Sequence, residues 1–380
     1  MRIVIAPDAF KECLSAHGVA TAIANGVRRA VPESDLVLVP MADGGEGTVD
    51  ALVAATGGTY RDLEVMDPLG ESVTARYGVS CDGSTAFIEM AAASGLALVP
   101  RDRRDPRITT THGTGELMAN ALDLGVKRIV LGIGGSATND GGAGMAQALG
   151  FSLRDAGGHE LPPGGAALAR LAAIDDARRH PALATCDVVV ACDVDNPLCG
   201  PTGASLIYGP QKGASPHVAL ELDAALARLA EVVRGELNID ILDQPGSGAA
   251  GGLGGGLVAF AGACLEPGVD VVARTCGLAQ HMQGAHLVIT GEGAVDRQTL
   301  SGKTPVGVAR MACEQGIPVI ALAGSLGEGY RDVYGYGIDA VHSICPGPIT
   351  LAEAIDRTRE LLADTAETVL RTWLAGQRAR

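Results

Sequence analysis

LGIGGSATNDGGAGMAQALG is the sequence of residues 131–150, and it predicts a glycine-rich loop between a strand and a helix. The run before it, Lys127–Leu131 (KRIVL), is rich in β-branched residues and typical of a buried strand. Six glycines then fall between Gly132 and Gly144. Because glycine permits positive φ and close approach to the main chain, we expect backbone N–H groups here to bind a phosphate. The alternative is a tight turn in which an Asn or Asp caps the helix.

The composition is typical of an α/β enzyme rather than of a disordered or fibrous chain. Apolar residues make up 47% of the 380 positions, aromatic residues only 3%, and 53 residues are glycine. A chain of this length can form two domains with buried cores. The formal net charge of −15 argues against nucleic acid or an anionic membrane as a partner, so we expect small-molecule substrates. The oligomeric state stays open.

The sequence also favours a cytoplasmic location. No run of about 18 apolar residues is present, and the first residues, MRIVIAPDAFK, begin a strand rather than a signal peptide. The nine cysteines include no C-x-x-C pair, which indicates reduced thiols rather than a zinc site or a disulfide framework.

The two ends of the chain share one pattern, and the middle has another. Strands alternate with helical patterns at both ends, which predicts a parallel sheet with crossover helices. Three alternating runs in between, separated by turn residues, predict antiparallel strands: Thr59–Val65, Ser72–Ser80 and Thr85–Met90. We therefore predict a Rossmann-like parallel α/β domain formed by residues 1–60 and 285–380. Residues 61–284 form an inserted mixed α/β domain, and the active site is expected in the cleft between the two domains.

Acidic side chains follow five of the predicted strands, where the ligands of α/β sheets bind. Two of these strand ends also supply a lysine. The residues are Asp8 and Lys11, then Asp43, Asp140, Asp193 and Asp195, and finally Glu292, Asp296 and Lys303. Carboxylates that hold Mg²⁺, lysines that offset phosphate charge and a further Asp that takes a hydroxyl proton are the parts of a phosphoryl-transfer site.

Standard nucleotide motifs are absent from the sequence. Gly302-Lys303-Thr304 resembles the end of a P-loop, but the first glycine of that motif would fall at Arg297. The spacing after Gly132 likewise does not match the dinucleotide fingerprint, which disfavours a standard NAD site.

Seven long blocks, in order along almost the whole chain, resemble the glycerate kinase type 1 family. They are IAPDAFKECLSA (5–16), MADGGEGT (41–48), GIGGSATNDGGAGMAQALG (132–150), CDVDNPLCGPTGAS (192–205), YGPQKGA (208–214), GSGAAGGLGGGL (246–257) and ITGEGAVDRQTLSGKTPVGVA (289–309). The first block departs from the usual PDSFKGSLSA, because Ala9, Glu12 and Cys13 replace Ser, Gly and Ser. Ala9 therefore offers no hydroxyl contact, while Asp8 and Lys11 are kept.

The resemblance implies ATP-dependent phosphorylation of D-glycerate to 2-phosphoglycerate, or to 3-phosphoglycerate as older naming has it, in glyoxylate or sugar-diacid catabolism. It also implies a two-domain α/β fold. The residue roles are our chemical hypotheses. Lys11, Lys212 and Lys303 would contact the phosphates and the glycerate carboxylate, and Asp193, Asp195 and Glu292 would hold Mg²⁺. Gly134, Gly135, Ser136, Asn139, Gly252, Gly254 and Gly255 would contact the nucleotide, and Asp8, Asp43 or Asp296 would be the base.

Two other functions remain open at this point. A dehydrogenase acting on hydroxy acids would share the α/β pattern and the small anionic substrate. A non-catalytic sensor would bind glycerate or a nucleotide without turnover, although the density of carboxylates and lysines argues against it.

Overall fold

A computed structural model describes residues 1–300 and 302–378 and shows a mixed α/β protein. The strands are β1 Arg2–Ile5, β2 Asp35–Leu38, β3 Thr59–Met66, β4 Ser72–Val79, β5 Thr85–Glu89, β6 Arg128–Gly132, β7 Ser152–Asp155, β8 Leu171–Asp175, β9 Asp187–Ala191, β10 Cys264–Glu266, β11 Leu287–Val295, β12 Val319–Leu326 and β13 Ala340–Ser343.

Helices cover much of the remaining chain. The α-helices are α1 Ala16–Ala30, α2 Thr48–Thr56, α3 Ala91–Ser94, α4 His112–Asp123, α5 Ala143–Ala148, α6 Ala204–Tyr208, α7 Pro216–Leu237, α8 Leu253–Ala261, α9 Gly268–Thr275, α10 Leu278–Met282, α11 Thr304–Glu314, α12 Leu351–Asp356 and α13 Thr358–Arg378. Short 3₁₀ helices span Leu96–Leu98, Arg101–Arg103, Gly165–Arg170, Pro181–Ala184, Pro210–Lys212, Ala249–Gly252, Arg297–Leu300 and Tyr330–Tyr336. None of the helices formed by the described residues is both long and apolar enough to cross a lipid bilayer.

The chain divides into two compact units. The first unit comprises Met1–Asp43, Asp50–Thr56 and the residues from Pro267 onward, and the second comprises Gly44–Val49 and Gly57–Glu266. The predicted domain boundaries are at residues 60 and 285, whereas the last segment of the first unit begins at Pro267 and so also contains α9 and α10.

The first unit is built on a five-stranded parallel sheet with the order β13-β12-β11-β1-β2. Its core contains side chains from the central strands and from α1 and α13, among them Ile3, Ile23 and Leu370. The hydroxyl of Ser15 accepts a hydrogen bond from the Gly18 N–H at 3.2 Å and so caps the N-terminus of α1. A side chain at Gly26 would collide with the Ala363 carbonyl oxygen, so this glycine lets α1 pack closely on α13.

The second unit contains a six-stranded mixed sheet with the order β10-β9-β6-β5-β4-β3. Strands β3, β4 and β5 pair antiparallel, as predicted, and β5 then continues parallel to β6. Strands β7 and β8 form a separate antiparallel pair.

Two predicted elements differ from the structure. The run His286–Thr290 (HLVIT) predicts a strand, and in the structure this strand runs on to Val295, since the GEGAV segment pairs with β12 instead of forming a loop. The pattern over residues 350–374 predicts a single helix, whereas the structure has two helices, α12 and α13, broken at Arg357. There the Thr358 hydroxyl donates to the Ala354 carbonyl oxygen at 2.7 Å, an alternative to the helical bonding pattern that needs no Gly or Pro.

Candidate active site

The strand order of the first unit creates a crevice at one place in its sheet. From β1 the chain moves outward to β2, whereas from β11 it moves in the opposite direction through β12 to β13. Strands β1 and β11 are neighbours, so the direction reverses between them. Open α/β sheets bind their ligands at the carboxyl ends of the strands at such a reversal point. The residues that follow β1 and those within β11 are therefore the strongest candidates for binding a ligand.

Asp8 lies just beyond the end of β1 and is held in a fixed orientation. One carboxylate oxygen, Oδ1, accepts from the Ala9 N–H at 2.6 Å, and Oδ2 accepts from the Thr304 hydroxyl at 2.7 Å. Burial raises the pKa of Asp8 to about 7, with a further increase from the negative charge of Asp43. A carboxyl group with such a pKa can exchange a proton near neutral pH.

Glu292 and Lys303 form an ion pair in the same region. Lys303 Nζ lies 3.4 Å from Glu292 Oε2, and the Thr299 hydroxyl donates to Glu292 Oε1 at 2.6 Å. Burial raises the pKa of Glu292, whereas Thr299 and Lys303 oppose that shift. Because Lys303 is 30% exposed and Glu292 only 9%, the lysine retains access to a ligand while the glutamate positions it.

These groups line a cavity of about 600 Å³ within the first unit. The cavity brings together five of the sequence-predicted site residues: Asp8, Lys11, Asp43, Glu292 and Lys303. Aliphatic residues from the segment after β13 also line it. The volume is in the range of pockets that hold a nucleotide-sized ligand and far exceeds the needs of a three-carbon acid.

Asp296 does not line this cavity. Its Oδ1 accepts from the Gln298 N–H at 2.7 Å, and its own N–H donates to the Thr299 hydroxyl at 3.1 Å. These bonds stabilise the turn that begins the 3₁₀ helix Arg297–Leu300, which is an ordinary structural role for an Asp at a helix start.

A carboxyl group of the protein itself lies among the backbone N–H groups of the glycine-rich loop in the second unit, and burial raises its pKa. Asp140 is fully buried, and it accepts from the backbone N–H groups of Gly142 and Gly144 at 3.3 and 3.2 Å. It also accepts from the N–H and the hydroxyl of Thr111 at 2.8 and 2.9 Å. These bonds hold Asp140 beside the start of α5, where Gly142 occupies the N-cap position, and phosphate binding by this loop stays a prediction. Gly134 and Gly135, at the loop's beginning, are exposed.

Lys212 braces the same loop from within. Its Nζ donates to Ser136 Oγ and to the Thr138 carbonyl oxygen, both at 2.7 Å, and the residue is only 1% exposed. Burial lowers the pKa of Lys212 to about 7, and the Asp140 carboxylate opposes that shift. Asn139 is likewise buried and donates through Nδ2 to Ser205 Oγ at 2.9 Å. The Asn139 amide N–H and two donors of Lys212 are thus bound by the protein's own groups, whereas the buried Asn139 Oδ1 has no hydrogen-bond partner among the described residues.

The second glycine cluster is explained by close packing. Gly252, Gly254 and Gly255 are buried. A side chain at Gly254 would collide with the Gly246 carbonyl oxygen, and a Cβ at Gly252 would lie 2.9 Å from Gly141 Cα. At Gly252 and Gly254 a Cβ does not fit without a shift of the backbone, and at Gly255 it would lie 3.3 Å from Ser247 Cβ, so the glycines permit tight contact between α8 and its neighbours.

The predicted Mg²⁺ ligands do not form a preformed metal centre. Asp193 and Asp195 are exposed on the segment after β9 in the second unit, whereas Glu292 is paired with Lys303 in the first. Across residues 1–300 and 302–378, no group of three or more His, Cys, Asp and Glu residues is arranged to hold a metal ion.

Two threonines of the site were missed by sequence reasoning. Thr299 and Thr304 are both fully buried, and their hydroxyls orient Glu292 and Asp8. Thr304 directly follows Lys303 in the sequence, so the Gly-Lys-Thr triplet was a signal for it even though the P-loop motif fails.

Comparisons with known proteins find glycerate kinases that are similar to this chain over nearly its full length. The family model described as "Glycerate kinase family" matches residues 3–374. "Glycerate 2-kinase" of Escherichia coli (strain K12) is 51% identical over 378 residues, covering 100% of this chain and 99% of that protein. "Glycerate kinase" of Bacillus subtilis (strain 168) is 50% identical over 369 residues, covering 97% of each protein.

A solved crystal structure is similar to this chain at the same level of sequence identity and over the same length. The crystal structure of a Salmonella typhimurium LT2 protein assigned as glycerate kinase 2 superimposes with a TM-score of 0.92 at 51% identity. The match covers 100% of this chain and 99% of that one. With a parallel sheet whose reversal point carries carboxylates and lysines, this chain belongs to the glycerate kinase family.

Proposed function

We propose that this protein is an ATP-dependent glycerate kinase, which transfers the γ-phosphoryl group of ATP to a hydroxyl of D-glycerate. Family membership over nearly the whole chain supports this function. The observation that carries it is the cavity at the sheet reversal point. It is lined by the Asp8 carboxylate, which Thr304 orients, and by Lys303, which is paired with Glu292.

In this proposal Asp8 is the general base. As the glycerate hydroxyl oxygen bonds to the γ-phosphorus, its proton moves to a carboxylate oxygen of Asp8, and the bond between phosphorus and the ADP oxygen breaks. A base works best when its pKa lies near the working pH, and the pKa of Asp8 is raised to about 7. The Thr304 hydroxyl holds the carboxylate in one orientation throughout.

Lys303 and Lys11 offset the negative charge of the phosphates. Lys303 is held by Glu292 at 3.4 Å, and Lys11 is an exposed residue on the wall of the same cavity. Positioned cations are a main source of rate enhancement in phosphoryl transfer, where little covalent chemistry falls to the protein.

The cavity residues fit a Mg²⁺ ion that would be held jointly by the protein and the nucleotide phosphates. They fit less well a metal ion whose ligands all come from the protein. Asp43 supplies an oxygen donor of the type that Mg²⁺ prefers, and one or two carboxylates with phosphate oxygens and water are sufficient. When bound, the ion would neutralise charge on the β- and γ-phosphates. Ligand contacts by Asp193, Asp195, Gly134 and Gly135, all exposed in the second unit, stay predictions from the sequence.

We further propose that the product is 2-phospho-D-glycerate, because the Escherichia coli relative is a "Glycerate 2-kinase" at 51% identity. The test is ³¹P NMR of the product formed from D-glycerate, ATP and Mg²⁺. A phosphomonoester signal split by one proton identifies the 2-phosphate, and splitting by two protons identifies the 3-phosphate. Unchanged ATP in the presence of folded protein would overturn the proposed function.

A further inference from the structure

The cavity of the first unit has an aliphatic wall that the chemistry of phosphoryl transfer does not explain. This aliphatic wall consists of Ile344, Ile349, Leu351 and Ile355, which follow β13 and extend into α12. Leu351 is 77% exposed, more than any other large hydrophobic side chain among the described residues. A concave surface with exposed aliphatic side chains and a few polar groups at one side is typical of a ligand pocket.

The sheet places this wall at a distance from the charged groups. Between β13 and β11 lies one strand, β12, and between β13 and β1 lie two strands. Adjacent strands are about 4.8 Å apart, so the wall begins roughly 10 Å from Glu292 and 14 Å from Asp8 along the sheet. Ile344 is fixed there, because its N–H donates to the Ala323 carbonyl oxygen at 2.8 Å. The cavity is thus elongated, with charge near the centre of the sheet and aliphatic side chains near its edge.

Of the two substrates in the proposed function, only one has an apolar part. Glycerate is a three-carbon acid with two hydroxyls, and it presents no surface that gains from aliphatic contact. ATP carries a flat purine at one end and the transferable phosphate at the other, which matches the two ends of the cavity. In the second unit, Asp140 and Lys212 bond to the buried part of the first glycine cluster and close backbone contacts occupy much of the second, whereas neither cluster has an aliphatic wall of this kind in the cavity lining.

We propose that the aliphatic wall binds the purine base of the nucleotide, with the triphosphate directed toward Lys303 and Asp8. This inference rests on the proposed kinase function and adds to it the location of the nucleotide base, within the first unit. The flat faces of the purine contact the side chains of Leu351 and Ile355, and burial of those side chains contributes to affinity.

The test compares a ligand that has the base with one that lacks it. Dissociation constants of Mg²⁺-ATP and Mg²⁺-tripolyphosphate are measured by calorimetry on the full chain without glycerate. The variant Leu351→Gln is expected to weaken ATP binding roughly five-fold, since it removes one partly covered leucine, and to leave tripolyphosphate binding unchanged. Ile355→Gln should have the larger effect on ATP, roughly ten-fold, because Ile355 is more buried.

Leu220→Gln is the matched control. Leu220 is also an exposed leucine on a helix, 60% accessible on α7, and it does not line the cavity. It should change neither dissociation constant. Leu351 is so exposed that its replacement leaves the fold intact, so the test does not depend on the stability of the Ile355 variant.

Three results would overturn the proposal: equal affinity of the wild type for ATP and tripolyphosphate, no loss of ATP affinity in Leu351→Gln, or equal loss for both ligands. Failure of the proposed function is a separate result. It would appear as an absence of phosphoglycerate in the NMR experiment, while the comparison of the two ligands could still be read.

Discussion

Lys303 and Lys212 each lie close to a carboxylate and a hydroxyl-bearing side chain, but the two units use them differently. Lys303, in the first unit, is 30% exposed on an open cavity, and its partner Glu292 holds it there. Lys212, in the second unit, is 1% exposed, and both of its acceptors belong to the loop that it braces. We therefore propose that a lysine serves a ligand in the first unit, whereas the buried lysine of the second unit supports the internal structure. Burial distinguishes the two, because a ligand cannot reach a side chain whose partners are all internal.

The largest expected effect comes from comparing two aspartates of the first unit, one that lines the cavity and one that does not. We expect Asp8→Asn to lower kcat roughly 10³-fold, since an amide cannot accept the hydroxyl proton. Asp296→Asn should change kcat less than about three-fold, because an Asn oxygen can still accept from the Gln298 N–H. Steady-state kinetics with D-glycerate and ATP measures both. Equal losses in the two variants would show that Asp8 has no special place in the reaction.

The glycines of the two units should also respond differently to an added methyl group. Gly254→Ala in the second unit is expected to lower the free energy of unfolding by about 2 kcal/mol, because the Cβ collides with the Gly246 carbonyl oxygen. Gly293→Ala on the cavity wall should change it by less than about 0.5 kcal/mol, since its nearest neighbour is Phe10 Cα at 3.7 Å. Urea unfolding measures both values. A stable Gly254→Ala protein would contradict the packing explanation for this glycine.

The pH dependence of stability should have opposite signs in the two units. The pKa of Asp8 is raised to about 7, mainly by burial, so folded Asp8 keeps a proton that the unfolded chain releases above about pH 4. Its contribution to the free energy of unfolding therefore falls between about pH 4 and 7. The pKa of Lys212 is lowered to about 7, also by burial, whereas an unfolded lysine keeps its proton to about pH 10. Its contribution rises with pH above 7.

The measurement is urea unfolding at intervals from pH 5 to 9 on the wild type, Asp8→Asn and Lys212→Met. The difference between wild type and Asp8→Asn should decrease toward pH 7, and that between wild type and Lys212→Met should increase above it. Each change should be on the order of 1–2 kcal/mol. Parallel curves for all three proteins would mean that neither group titrates near neutral pH in the fold.

The smallest expected effect concerns Glu12, on the cavity wall. Its φ is 63°, a left-handed value that costs a side-chain-bearing residue free energy, and the family usually has glycine there. We expect Glu12→Gly to raise the free energy of unfolding by about 0.5 kcal/mol. This is a net value, because the relief of strain in the folded state is partly offset by the greater entropy of glycine in the unfolded chain. Glu33→Gly, at an exposed position without positive φ, should lower it. The opposite order would remove the strain assigned to Glu12.

The sequence predicted the parts of the site that depend on strand direction. Asp8 and Lys303 could be placed near one edge because the carboxyl ends of parallel strands meet there. The sequence did not predict that Asp140 and Lys212 face inward, since that depends on residues distant in the sequence: Thr111 is 29 positions from Asp140, and Ser136 is 76 positions from Lys212. The position of Glu292 inside β11, rather than after it, was missed for a similar reason: only pairing with β12 extends the strand.

The order of the chain within the first sheet has a consequence for protein synthesis. Strand β1 is synthesised early, but its neighbour β11 is more than 280 residues further along the chain. The bond from the Thr290 hydroxyl to the Ala6 carbonyl oxygen joins these two distant segments. At roughly 5–20 residues per second, a ribosome needs about 15–60 s to make the intervening segment. During that interval the apolar side chains that β1 and α1 contribute to the core of the first unit lack their partners from β11 and α13. The bond between Thr304 and Asp8 can form only after Thr304 has been made, so no nascent fragment shorter than about 300 residues holds it.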